Sequence, residues 1–154
     1  MTAGDRFEGL TQWVDRAPHV LAPDGSTVHP LVRTATASAA RFELAPETVS
    51  VPVAHRSLEE FWVFVSGRGE MWRRLPTGEE LTVEVESGVA LAIPPRTAFQ
   101  FRATSAEPLV AYGTTIPPFP ENDPAEILDV DTHPWVPTIH MVEPGAGGDA
   151  NASA

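Results

Sequence analysis

Prolines and glycines interrupt this chain so often that few segments are long enough for an extended α-helix. The 154 residues include 16 prolines and 11 glycines, with short runs rich in Val, Thr and Phe between them. Proline removes an amide donor and glycine favours turns, whereas β-branched and aromatic residues favour strands. The length suits one hydrophobic core rather than two. The composition therefore predicts a single all-β domain.

Short alternating or apolar runs between the turns mark the strands. The predicted strands cover residues 27–34, 39–44, 60–65, 70–73, 81–86, 89–93, 98–103 and 109–115. In the run from Glu60, residues 60, 62 and 64 point to one face and 61, 63 and 65 to the other. Because both faces carry apolar side chains, this strand is predicted to be covered on both sides.

The two ends of the chain differ from its middle. Residues 1–25 are predicted to form an extension with a short helix over residues 7–14, where apolar residues recur at helical spacing. Residues 26–142 are predicted to form the barrel domain, which includes a proline-rich C-terminal wrap. Residues 143–154 are small and polar, and this composition predicts a disordered tail.

Charge and hydropathy exclude several classes of function. The formal net charge of −11 disfavours nucleic-acid binding, which depends on clustered Lys and Arg. We expect no membrane association, because no apolar run reaches the length of a membrane helix and the N-terminus lacks the pattern of a signal peptide. The chain has no cysteine, so thiol chemistry is excluded. A cytoplasmic location is expected.

Two short blocks resemble the sequence motifs of the cupin superfamily. In the first, His55, Glu60 and Gly67 fit the pattern His-x-His, four residues, Glu, six residues, Gly, but Val53 stands in place of the first histidine. In the second, Gly88 and Pro94 fit the pattern Gly, five residues, Pro-x-Gly, two residues, His.

Two positions of the second block depart from the pattern. Arg96 replaces its last glycine, and Phe99 replaces its histidine. The resemblance implies a jelly-roll β-barrel, often dimeric, so a homodimer is expected. Two of the usual metal ligands are missing.

The resemblance further implies that the motif side chains converge at one end of the barrel. His55 and Glu60 would then be an acid/base pair, since a carboxylate desolvated among aromatic rings next to an imidazole is able to move a proton near neutral pH. The expected partner is a small-molecule substrate, and the expected chemistry is that of an isomerase, epimerase or cyclase without a metal cofactor. The side chains expected to line its pocket are Trp62, Phe64, Met71, Phe99, Phe101, Tyr112 and Arg96, with Thr114 as a further candidate.

Three alternatives remain at this stage. His55 and Glu60 could satisfy each other in a site that does no chemistry. A metal-dependent oxygenase or isomerase could recruit a further histidine, from His19, His29, His133 or His140, to join them. A binding module without turnover would use the same pocket. Arg96 would be either a solvated turn residue or a partner for an anionic substrate at the pocket mouth.

Overall fold

Two antiparallel sheets face each other in a jelly-roll β-barrel. The computed structural model describes residues 9–120 and 123–139. The strands are β1 (Val20–Leu21), β2 (Thr27–Arg33), β3 (Ser38–Leu44), β4 (Val53–His55), β5 (Glu59–Ser66), β6 (Arg68–Arg74), β7 (Glu80–Glu86), β8 (Ala90–Ile93), β9 (Ala98–Ala103), β10 (Leu109–Ile116) and β11 (Ile127–Leu128). Sheet A has the order β1-β2-β3-β10-β5-β8, and sheet B has the order β11-β4-β9-β6-β7. The prediction of an all-β fold is confirmed.

The predicted strands agree with the structure to within a few residues, but the predicted helix does not. Residues 9–13 are not helical, and the first helical turn is a 3-10 turn at Val14–Arg16. Residue 7, the first apolar position of that prediction, lies outside the described residues. Each described helical turn has three residues, and none is long enough to cross a membrane. The predicted tail at 143–154 also lies outside the described residues.

The barrel interior is filled by aromatic side chains around Trp62. Its ring stacks on Phe42 at 4.5 Å between ring centroids and meets Phe99 and Phe101 edge-on at 5.8 and 5.3 Å. Gly113 makes room for this packing, because a Cβ there would lie 2.5 Å from Phe42 Cε2 and 3.0 Å from Trp62 Cδ1. Trp62 on β5 therefore requires a residue without a side chain, Gly113, at the facing position of β10.

The outer face of β5 is open, which contradicts the prediction that both faces are covered. Phe61, Val63 and Val65 are 48%, 46% and 40% exposed. The alternation itself is confirmed, because Glu60, Trp62 and Phe64 are buried on the opposite face. The sequence pattern shows that both faces are apolar but not whether anything packs on the second. The homodimer stays a prediction.

The segment after residue 122 is tied to the barrel beside the end of β4. Strand β11 pairs with β4, and its residue Ile127 lies opposite His55. Just before it, the Glu126 carboxylate accepts hydrogen bonds from Ser57 N at 2.6 Å, Ser57 Oγ at 2.8 Å and Leu58 N at 3.0 Å. Glu126 thus fixes the loop between β4 and β5, which carry the two motif residues.

Replacing Glu126 with Gln should destabilise the protein by about 1–3 kcal/mol at neutral pH, since the charge-assisted hydrogen bonds to Ser57 and Leu58 are lost. Burial raises the pKa of Glu126, but these hydrogen bonds outweigh it and bring the pKa below its ordinary value. The stabilisation is therefore present above the pKa of the unfolded chain and is lost as the pH falls through the lower folded pKa. Urea unfolding of the wild type and of Glu126→Gln at several values between about pH 3 and pH 7, a range that brackets an ordinary carboxyl pKa, measures this difference in stability.

The matched control is Glu79→Gln, because Glu79 is an exposed glutamate in a turn. We expect that variant to unfold like the wild type at every pH. Equal stabilities of wild type and Glu126→Gln at pH 7 would contradict the role of Glu126.

Candidate functional site

His55 and Glu60 lie together at one end of the barrel interior. His55 ends β4, and Glu60 is the second residue of β5, on the facing sheet. Their Nε2 and Oε1 atoms are 4.0 Å apart, and the two side chains are 10% and 4% exposed. This separation is too long for a hydrogen bond but short enough for proton transfer after a small movement or through one water molecule.

Burial governs the protonation state of Glu60. Desolvation raises its pKa to about 7, and the buried carboxyl of Asp24 adds to the rise. Trp62 Nε1 donates a hydrogen bond to Oε2 at 3.1 Å, and this bond and one from Thr115 lower the pKa by less. Glu60 is therefore a carboxylic acid over much of the range in which most glutamates are ionised.

His55 is shifted in the complementary direction. Burial lowers the pKa of His55, and the negative charge of Glu126 opposes that fall. Both shifts favour uncharged side chains, so near neutral pH the contact is between a neutral imidazole and a carboxyl group that is about half protonated. Such a pair can donate a proton from one member and accept a proton on the other.

Three buried polar atoms at this end of the barrel have no hydrogen-bond partner among the described residues. They are His55 Nδ1, Thr97 Oγ1 and Arg73 Nε. Sequence analysis missed Thr97 and Arg73. Arg73 had a signal, because it follows Met71 by two residues on β6 and strand alternation turns both to the inner face. Thr97 lies just before β9 and had no such signal.

The aromatic residues predicted to line a pocket form the closed core instead. Trp62, Phe64, Phe99 and Phe101 are 1–2% exposed, and Met71 is fully buried. The prediction that they face the interior is confirmed, but the prediction of an open aromatic cavity is wrong for this conformation. Their rings fill the space by packing on one another.

Three other predicted lining residues lie outside the barrel. Tyr112 and Thr114 are opposite Val63 and Phe61 on β5, whose side chains are exposed on the outer face of sheet A. The inner face of β10 carries Gly113, because Trp62 occupies that space.

Arg96 also differs from its predicted place at the pocket mouth. It is exposed and borders an outer groove of about 230 Å³ together with Arg74 and Leu128. Its φ of 62° is the left-handed conformation that favours glycine, and its N–H donates to the His55 carbonyl at 2.7 Å. The backbone of Arg96 thus supports the site, whereas its side chain lies elsewhere.

Phe119 covers the site from the outside, a contact that sequence analysis also missed. Its ring meets His55 edge-on at 6.0 Å between centroids and is 39% exposed. Its backbone N–H donates to Ser38 Oγ at 3.0 Å, which ties the backbone of Phe119 to the first residue of β3. A ligand that reaches His55 from this end must displace the Phe119 ring.

The described residues do not fit a metal centre. The site offers one imidazole and one carboxyl group, and Val53 and Phe99 add no donor atom. No group of three or more His, Cys, Asp or Glu side chains that could hold a metal occurs within residues 9–120 and 123–139. Three or more protein ligands are the usual requirement.

The histidines considered as further ligands lie apart from this pair. His19 and His29 lie beside each other, with ring centroids 5.5 Å apart, at strands β1 and β2. His133 is exposed, and its Nδ1 contacts the Trp135 carbonyl at 2.8 Å. His140 lies outside the described residues.

Solved structures share this fold at low sequence identity. KdgF from a Halomonas species is 19% identical, with a TM-score of 0.58, and the match covers 70% of this chain and 94% of that one. The capsular polysaccharide assembling protein CapF from Staphylococcus aureus is 13% identical with a TM-score of 0.62, over 75% of this chain and 35% of CapF.

Bacillus subtilis oxalate decarboxylase, a protein with Mn(II) centres, is 16% identical with a TM-score of 0.56, over 66% of this chain and 28% of the enzyme. This chain therefore spans about a third or less of the length of CapF and of the decarboxylase.

No curated protein matches the chain closely in sequence. The family model described as a cupin domain matches residues 40–115, which run from β3 to the end of β10 and include both motif blocks. Together with the two facing sheets and the placement of His55 and Glu60 at one end of the barrel, this match shows that the chain belongs to the cupin superfamily.

Proposed function

We propose that the protein is an enzyme of the isomerase, epimerase or cyclase type that acts on a small molecule by acid/base chemistry without a metal. Glu60 is the proton donor, and His55 is the proton acceptor. The observation that carries the proposal is a buried carboxyl group 4.0 Å from a buried imidazole, a burial that raises the pKa of Glu60 to about 7 and lowers that of His55. A general acid or base works best when its pKa lies near the working pH.

His55 and Glu60 together can supply and take up every proton that such a reaction moves. The substrate gives one proton to His55 and receives one from the Glu60 carboxyl at another atom, which leaves an imidazolium beside a carboxylate. Proton transfer across the 4.0 Å gap, directly or through one water molecule, then restores the starting state. The ionised carboxylate of Glu126 stabilises the imidazolium while it exists. No electrons are exchanged, so the reaction changes the structure of the substrate without oxidising it.

The closed interior sets the order of events. Phe119 covers His55, so substrate entry requires that ring to swing away before the pair is reached. Closure behind the substrate keeps water out and preserves the desolvation that raises the pKa of Glu60.

Replacing Glu60 with Gln or His55 with Gln should each reduce turnover about 10²- to 10⁴-fold, the usual contribution of a general acid or base. The purified protein is incubated in D₂O with a panel of hydroxy acids, keto acids and sugars, and solvent deuterium in recovered compounds is measured by mass spectrometry. Deuterium incorporation by the wild type identifies the substrate.

Glu59→Gln is the matched control, because Glu59 is the neighbouring glutamate on the other face of β5. It should keep the wild-type rate, and so should wild-type protein treated with EDTA. Full activity in both site variants, or activity only after a metal is added, would rule out the proposed mechanism. A ligand that binds and is recovered without deuterium or chemical change would identify a binding module instead.

The pH dependence of stability tests the state of Glu60 without a substrate. The pKa of Glu60 is about 7 in the folded protein and is therefore higher than in the unfolded chain. The stability that the protonated side chain contributes is fully present below pH ~4.5 and is lost as the pH rises through the folded pKa of about 7. Glu60→Gln keeps an acceptor for Trp62 Nε1 but cannot ionise. Relative to the wild type, it should therefore gain stability between pH 4.5 and 8, by up to ~3 kcal/mol. Urea unfolding of the wild type, Glu60→Gln and Glu59→Gln measures this, and a pH-independent difference would contradict a neutral Glu60.

A further inference from the structure

The unpaired polar atoms of His55, Thr97 and Arg73 share one face and one end of the barrel. Strands β4 and β9 pair Val53 with Phe99 and Ala54 with Ala98, and continuing this register by one step would place His55 opposite Thr97, which directly precedes β9. On the other side of β9, Phe99 pairs with Arg73 of β6. Because Phe99 is in the core, the residues that alternate with it or pair with it face the interior of sheet B.

The other buried side-chain polar atoms of residues 9–120 and 123–139 have hydrogen-bond partners. Gln100 donates to the Ser50 and Trp135 carbonyls at 2.9 Å, and Ser50 Oγ accepts from Phe101 N. Asp24 accepts from both the backbone and the hydroxyl of Ser26. Unpaired buried polar atoms are costly, and here all three of those among the described residues border the proposed site. A bound ligand at this place would supply hydrogen-bond partners to these atoms.

Arg73 is different from its neighbours on β6 and β9. Arg74 contacts Glu80 and Asp131, and Arg102 contacts Glu70. Arg73 contacts no carboxylate among the described residues, and its Nη1 donates only to the Ala92 carbonyl at 2.7 Å. Its guanidinium is therefore a half-buried positive charge without a negative partner, a state that an anionic ligand would relieve.

The donor set fits a single carboxylate group. A guanidinium and a hydroxyl can together donate hydrogen bonds to both oxygens of a carboxylate, which is flat and carries one negative charge. A phosphate dianion would bring a second charge close to Glu60 and would need more donors than these residues supply. We propose that Arg73 and Thr97 bind the carboxylate of a small carboxylic acid, which is the substrate, and so present its reacting atom to Glu60 and His55. That the bound acid is a substrate rests on the proposed function. That these residues bind a carboxylate does not depend on it.

Binding is tested with probes of matched shape and different charge. Acetate and benzoate are titrated into the full chain at constant ionic strength, with acetamide, benzamide and inorganic phosphate as comparisons. The readout is the methyl NMR signal of Thr97 together with the ring carbon signals of His55. We expect saturable shifts of these signals with at least one of the two carboxylates. The corresponding amide should bind with an apparent affinity at least ~10-fold lower.

Arg73→Gln should weaken carboxylate binding at least ~10-fold, because a hydrogen-bonded charge is lost, and Arg73→Lys should recover part of it. Arg68→Gln is the matched control, since it removes the same charge from a side chain that is 75% exposed; it should bind like the wild type. Thr97→Val removes a hydroxyl that has no partner in the free protein, so it should raise the melting temperature while it weakens carboxylate binding several-fold. A purely structural Thr97 would not produce these opposite changes.

Equal binding of carboxylate and amide, no saturable shift with either carboxylate, or unchanged affinity in Arg73→Gln would each overturn the inference. Glu60→Gln separates the two proposals, because it should slow deuterium exchange about 10²- to 10⁴-fold but retain carboxylate binding. Carboxylate binding that depends on Arg73 with no turnover that depends on Glu60 would leave the binding site standing and remove the enzyme. Turnover that depends on Glu60 with no carboxylate binding would do the reverse.

Discussion

The packing of Trp62 inside the barrel determines both the core and the site. Its ring fills the space between the sheets, stacked on Phe42 and edge-on to Phe99 and Phe101. The same indole donates through Nε1 to Glu60, so the residue that excludes water from the interior also orients the carboxyl group that depends on that exclusion. Trp62 thus links the packing of the core to the environment of Glu60, and Gly113 leaves room for its ring.

The fold and the central pair could be predicted from the sequence, because both depend on short-range patterns. Turn residues and period-two alternation located the strands, and two spaced motifs placed His55 and Glu60 at one end. The lining was harder to predict, since alternation gives two opposite faces without saying which one is inside. Tyr112 was predicted to line the pocket, whereas the inner face of β10 carries Gly113 at this level. Glu126 had no signal at all, because its contacts with Ser57 and Leu58 join segments almost seventy residues apart.

Hydrocarbon at two ligand positions of the family pattern changes what the remaining residues can do. Val53 and Phe99 are 4% and 2% exposed and surround the pair with apolar surface. Ligated to a metal, a histidine and a glutamate would be held as a neutral imidazole and a carboxylate. Among the described residues no such cluster of ligands surrounds the pair, and burial raises the pKa of Glu60 and lowers that of His55, which is the basis for the proposed roles of proton donor and proton acceptor.

His55 interacts with two glutamates whose pKa values are shifted in opposite directions. Burial dominates at Glu60 and keeps its carboxyl group protonated up to a pH of about 7. At Glu126, hydrogen bonds from Ser57 and Leu58 dominate and lower the pKa, so this carboxylate stays charged. In the proposed mechanism, a proton that arrives on His55 would be stabilised by the Glu126 carboxylate while Glu60 gives up its own proton. Glu126, which directly precedes β11, would therefore contribute to the proposed chemistry as well as to the fold.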